Sequence, residues 1–119
     1  MNNREARLWM KKQQLKPQLI TIDCYPLHFV LRALNWTTID YFSLDVEGDE
    51  LNVLKTLPFD IISIEMLSVE YLHEKSRTNE LQKFMEGKGY ETVLKMQRDD
   101  GGVNDFIFKK RKRKLAVVL

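Results

Sequence analysis

The chain has 119 residues, 44% hydrophobic and 30% charged, which suits one small globular domain or a piece of a larger one. Its single cysteine, Cys24, excludes an internal disulfide framework and fits a reducing compartment. The net charge of +2 conceals basic ends, +4 in residues 1–16 and +6 in residues 109–114, around a body of −8. This pattern argues against a folded nucleic-acid binder, which has a continuous basic face.

No stretch of the sequence is suited to a membrane. None has the roughly 20 consecutive apolar residues that a spanning helix needs. The first sixteen residues are polar and basic, without the apolar centre of a signal peptide. We therefore expect a soluble chain with no transmembrane segment and no nucleic-acid partner.

The amino-terminal part predicts a weak helix followed by a strand. Residues 1–16 are basic and only weakly periodic, so we predict a frayed helix or a tail. Leu19–Tyr25 alternates apolar and polar side chains, which predicts a strand. Pro26 suits the first turn of a helix with apolar residues at helical spacing, and Asn35 is a suitable left-handed residue to end it.

The most informative stretch runs from Ile39 to Leu57. Its nearly continuous apolar residues from Ile39 to Val46 are typical of a strand buried on both faces in a parallel sheet. Four carboxylates and a glycine follow or end this strand, at Asp45, Glu47, Gly48, Asp49 and Glu50. A leucine-lined helix then ends at Pro58. Open α/β sheets place their sites in such loops, at the carboxyl ends of strands.

The rest of the chain continues the alternation of strands and helices. The predicted elements are a strand in Ile61–Tyr71 that ends near Glu70, a helix from Thr78 or Asn79 to Gly89, and strands at Tyr90–Met96 and Asp105–Lys109. The turn residues at 99–102 join the last two strands in an antiparallel hairpin. The alternation favours a mostly parallel sheet that ends in this hairpin.

The acidic stretch also carries a family resemblance. It resembles the pattern iDxxxxDxEGxE of FkbM-type methyltransferase domains, here as Ile39-Asp40, Asp45, Glu47-Gly48 and Glu50. Within that family the chain is most similar to the Star-like proteins of arthropods, in residues 33–60, 68–75, 84–91 and 104–108. The resemblance implies three parts: a basic segment at 1–18, the carboxyl half of an FkbM-like domain at 19–110, and a basic and apolar tail at 111–119.

The implied fold is a partial class I (Rossmann-like) S-adenosylmethionine-dependent methyltransferase fold. S-adenosylmethionine is the implied cofactor, and that fold holds it mainly through a glycine-rich turn in its first half. This chain has five glycines, and none follows an early strand. We therefore expect a truncated or partial product of a longer protein, with a half-built cofactor pocket, an exposed sheet edge and no activity by itself. The alternative is a diverged, non-catalytic remnant.

Three carboxylates are the candidate site residues implied by the resemblance. Asp45 and Glu47 would contact the methyl acceptor or the methionine part of the cofactor, and Asp45 is the candidate cofactor ligand. A buried carboxylate there could act as a general base. The alternative is that these acids, with Asp49, start the following helix, where negative charge is favoured. Glu70 would hydrogen-bond a substrate or anchor a loop.

Other chemistry has less support in the sequence. The acidic loop lacks the spacing of a calcium loop, so we predict no metal. His28 and His73 have no partner at ligand spacing, Cys24 has no nearby histidine, and Asn104-Asp105 suits hairpin structure. The run at 109–114 is a solvated tail, a nuclear-localisation signal, or a contact for nucleic acid or anionic lipid.

Two functions follow from the resemblance. Star-like proteins act in membrane traffic, moving growth-factor precursors from the endoplasmic reticulum to the Golgi and endosomes, so the parent protein would bind membrane-protein cargo at those membranes. The alternative is methyl transfer to an oxygen or nitrogen acceptor. We rank traffic first.

Overall fold

A computed structural model describes residues 3–14, 16, 18–72, 77–97 and 104–112, with the backbone only for residues 3–6. In chain order the elements are α1 (Asn3–Lys12), α2 (Leu27–Ala33), β1 (Thr38–Leu44), α3 (Glu50–Lys55), β2 (Ser63–Glu70), α4 (Thr78–Gly87), β3 (Tyr90–Lys95) and β4 (Asp105–Lys110). None of the helices in this part of the chain is long and apolar enough to cross a bilayer.

The four strands form one mixed sheet in the order β1-β2-β4-β3. Only β1 and β2 run parallel, with Leu44 opposite Val69, whereas β4 is antiparallel to both β2 and β3. The antiparallel hairpin is confirmed, although its predicted turn at 99–102 lies outside the described residues. The mostly parallel sheet is wrong, because β4 returns into the space between β2 and β3 and separates them.

The strand predicted at Leu19–Tyr25 is also wrong. Residues 18–26 contain no strand, and Leu19 is 99% exposed. A strand requires a neighbour for its backbone hydrogen bonds, and among the described residues this segment has none. The alternation of apolar and polar residues in this segment therefore does not lead to a strand in this structure.

The strand β1 has the predicted place in the sequence but a different environment from the one expected. β1 forms an edge of the sheet, and its residues are not buried on both faces, since Leu44 is buried and Tyr41 is 55% exposed. Asp45 and Val46 lie beyond its end. The apolar run predicted the strand, whereas its place in the sheet depends on which neighbours are present.

The helices begin and end close to the predicted residues. Asn35, at φ 55°, and Gly89, at φ 89°, adopt the left-handed conformations expected after α2 and α4. Neither Thr78 nor Asn79 caps α4, because Arg77 occupies the N-cap position without a side-chain cap bond. The core is formed by leucines of α3, Leu81 and Met85 of α4, and the inward residues of the strands.

Candidate functional site at the carboxyl ends of β1 and β2

A sharp loop connects β1 to α3. Glu47 has φ 58° and Gly48 has φ 111°, so the chain passes through two consecutive left-handed residues. Glycine adopts this conformation without strain, whereas a residue with a side chain there is uncommon. The turn directs the chain from the end of the strand into the first turn of α3.

Glu50 holds this loop in place. Its side chain is completely buried. Its carboxylate accepts hydrogen bonds from the backbone N–H of Val46 at 2.8 Å and from that of Gly48 at 3.1 Å and 3.2 Å. Asp49 stands at the N-cap position without a side-chain cap bond, and its Oδ1 accepts from Asn52 Nδ2 at 2.6 Å. Glu50 therefore holds the loop in place from its buried side.

The fold brings two of the three predicted site residues together. Asp45, Glu70 and Glu50 each offer a carboxylate oxygen, and these oxygens lie within 4.8 Å of one another. Asp45 and Glu70 meet because β1 and β2 are parallel neighbours whose carboxyl ends lie at one edge of the sheet. Glu47 is exposed and does not belong to this carboxylate cluster.

Polar residues of β2 and β4 lie beside the carboxylate cluster. Glu70 is paired across the strands with Asp105, whose Oδ2 accepts a hydrogen bond of 2.7 Å from the buried hydroxyl of Ser68. Asn104 is buried directly before β4, where its carbonyl accepts from the backbone N–H of Tyr71 at 2.8 Å. Its Nδ2 is buried without a hydrogen-bond partner.

Tyr71, directly after β2, is buried in the core beside the carboxylate cluster. Its ring lies 4.8 Å from that of Phe106, and its hydroxyl donates to the carbonyl of Met96 at 2.8 Å. Burial raises the pKa of Tyr71, and the negative charge of Asp105 raises it further. The hydroxyl is therefore a neutral hydrogen-bond donor at ordinary pH.

The carboxylate cluster has the ligand type that hard cations prefer. Asp45, Glu50 and Glu70 offer oxygen atoms of the kind that bind Mg²⁺ or Ca²⁺. Acidic groups of this kind are also common without an ion, and Glu50 is already bonded to the backbone. The absence of a metal stays a prediction from the sequence.

The remaining candidates lie away from the carboxylate cluster. His28, on α2, stacks at 4.5 Å on Phe29 and has a buried Nδ1 without a partner. It lines a cavity of about 350 Å³ beside the residues that precede β1 and β2, at the opposite end of these strands. Cys24 is exposed and free. His73 and residues 113–114 lie outside the described residues.

Comparison with known protein families covers β1, the acidic loop and β2. The sequence profile of the methyltransferase FkbM domain matches residues 4–92, about three quarters of the chain. The chain belongs to the FkbM methyltransferase domain family. No curated protein and no solved structure matches it significantly.

The FkbM family suggests S-adenosylmethionine as the cofactor. In the carboxylate cluster Asp45 is exposed and Glu70 is half-buried. No glycine precedes Gly48 in this chain.

Sequence reasoning did not anticipate the role of Glu50 within the carboxylate cluster. The signal was present, because Glu50 is the last residue of the FkbM pattern. Glu50 is buried in the structure, after a turn in which Gly48 has φ 111°.

Proposed function

We propose that this chain forms the acceptor side of an S-adenosylmethionine-dependent methyl-transfer site, with an oxygen or nitrogen atom as the acceptor. The observation that supports the proposal is the meeting of Asp45 and Glu70 at the carboxyl ends of two parallel strands. In open α/β sheets ligands bind outside these ends. The family membership points to the same chemistry.

Each carboxylate has a separate part in this proposal. S-adenosylmethionine supplies a methyl group activated on a sulfonium. Asp45 and Glu70 accept hydrogen bonds from the amino group of the cofactor or from the acceptor, and Glu50 keeps the loop in position. Glu47 contacts the acceptor from the outer side of the loop. Orientation of the two reactants supplies most of the rate in such a site.

The test is an NMR titration of the chain with S-adenosylmethionine. We expect binding weaker than about 100 µM, with amide shifts confined to residues 44–50 and 70–71. Asp45→Asn should weaken binding by roughly tenfold, because it removes a hydrogen bond to a charged acceptor. Asp60→Asn, which alters an exposed acid outside the site, is the matched control and should leave binding unchanged.

Two results would count against this proposal. Shifts elsewhere in the chain, or none at millimolar cofactor, would remove Asp45 and Glu70 from the site. Binding at low micromolar concentration would instead show that the nucleoside part has a complete pocket in this chain.

The second candidate function is membrane traffic by a larger parent protein. It is supported by the resemblance of residues 33–60 and 104–108 to Star-like proteins, and by the lack of any glycine before Gly48. The parent would then act on membrane-protein cargo at endoplasmic reticulum, Golgi and endosomal membranes. The sequence of the transcript upstream separates the two: an apolar span of about 20 residues favours traffic, and a glycine-rich turn favours catalysis.

A further inference from the structure

One edge of the sheet has no neighbour among the described residues. β1 is the outermost strand, and it pairs with β2 in an uninterrupted register. Its only charged residue is Asp40, and it contains no proline. Exposed edges of this kind present unpaired N–H and C=O groups, to which another strand can add.

The opposite edge has the protection that β1 lacks. In β3 the pairing with β4 is interrupted between Thr92 and Leu94. Glu91 and Lys95 are exposed on the same strand. Irregular pairing and charged side chains are two devices by which natural sheets prevent further pairing. A strand would therefore add at β1 in preference to β3.

The chain also contains a strand-like segment that has no partner strand among the residues described. Residues 19–25 alternate as a strand does, yet they form no strand and their apolar side chains are exposed. Ile20 and Ile22 are each 69% exposed and Tyr25 is 74% exposed. Side chains of this type are usually buried in pairs of strands.

We propose that two copies of this chain exchange residues 19–25, each copy laying this segment along the free edge of β1 in the other. The alternation allows this pairing. In an antiparallel pairing Ile20, Ile22 and Cys24 lie on the core side, beside Leu44, Phe42 and Asp40 respectively. The side chains of Leu19, Thr21, Asp23 and Tyr25 then fall on the side of Tyr41. Asp23 and Asp40 then lie on opposite faces of the sheet and do not repel each other.

The area of such an exchange suits a stable dimer. Each segment carries four large exposed apolar side chains, Leu19, Ile20, Ile22 and Tyr25. At roughly 100 Å² for each side chain, and a similar area covered on the partner, a two-fold exchange buries about 1,600 Å². This is the ordinary size of a specific protein interface. Within one copy residues 19–25 do not pair with β1, and the area of the exchange is what favours a second copy as the occupant.

The first test measures the mass of the whole chain in solution by light scattering and sedimentation. We expect a dimer of two 14.1 kDa chains. Ile22→Lys in the segment and Tyr41→Lys on the edge should each raise the dimer dissociation constant by roughly tenfold or more. Matched controls are Ile61→Lys and Val93→Lys, at side chains that are 67% and 55% exposed, and they should remain dimeric. Far-UV circular dichroism verifies that each variant is folded.

The second test uses the single cysteine of the chain. A copy carrying Cys24→Ser and Asp40→Cys is mixed with the unaltered chain and treated with a short bismaleimide. A covalent pair of the two copies is expected, because Cys24 of one lies beside position 40 of the other. A monomer at all concentrations would overturn the exchange. So would a dimer that either lysine variant leaves intact, or one that the controls weaken equally.

Discussion

Replacement of Glu50 by alanine tests the central feature of the site, a buried carboxylate that holds the loop between β1 and α3. The variant removes the acceptor of the backbone N–H groups of Val46 and Gly48. Each hydrogen bond to a charged group contributes about 1.5–3 kcal/mol to the free energy of unfolding. The loss of both bonds would therefore cost about 3–6 kcal/mol before any offset.

Two effects reduce that cost. The variant also removes the repulsion of the Glu50 carboxylate by those of Asp45 and Glu70, which lie within 4.8 Å of it, and this offsets on the order of 1–2 kcal/mol. Both N–H groups are only partly buried, so water can reach them. We expect a net loss of about 2–3 kcal/mol in the free energy of unfolding, and a smaller loss for Glu50→Gln, which keeps one acceptor oxygen.

The assay combines urea unfolding with hydrogen exchange of the amides of Val46 and Gly48, which should exchange faster in Glu50→Ala. Glu65→Ala is the matched control, because Glu65 is exposed on β2 and its loss should change stability by less than about 0.5 kcal/mol. If Glu50→Ala were as stable as this control and both amides kept their protection, the carboxylate would not hold the loop.

Three further predictions concern the remainder of the fold. Gly89→Ala should lower the free energy of unfolding by about 1 kcal/mol, because Gly89 has φ 89°, which alanine adopts only with strain. Gly87→Ala should raise it by about 0.5–1 kcal/mol, because alanine favours the helix α4 more than glycine does. Urea unfolding measures both changes. Burial raises the pKa of Tyr90 to about 12, so between pH 10 and 12 the hydroxyl ionises in the unfolded chain but not in the folded one. The free energy of unfolding should therefore be unaffected below pH 10 and fall by at most about 2 kcal/mol as the pH rises to 12. Tyr90→Phe should abolish this fall. The hydrogen bond from Arg77, with a second from Lys55, lowers the pKa of Glu80 to about 2. An NMR titration should therefore show a higher pKa for Glu80 in Arg77→Ala. The small contribution of ionised Glu80 to stability is lost as the pH falls through this pKa.

Local chemistry determined much of this fold from the sequence alone. Asn35 and Gly89 end their helices because few residues accept a left-handed conformation. The apolar runs that became β1 and β2 were recognisable, as was the hairpin of β3 and β4. The acidic loop was placed correctly at the end of β1, since a strand, a glycine turn and a leucine-lined helix have local signatures.

Tertiary structure decided what depends on a neighbour. Leu19–Tyr25 has the alternation of a strand but forms none, because backbone hydrogen bonds need a second strand beside it. The sheet is mixed because β4 enters between β2 and β3, and spacing along the chain does not specify that order. Glu50 joined Asp45 and Glu70 because the turn at Gly48 directs it inward and parallel pairing places the two strand ends side by side.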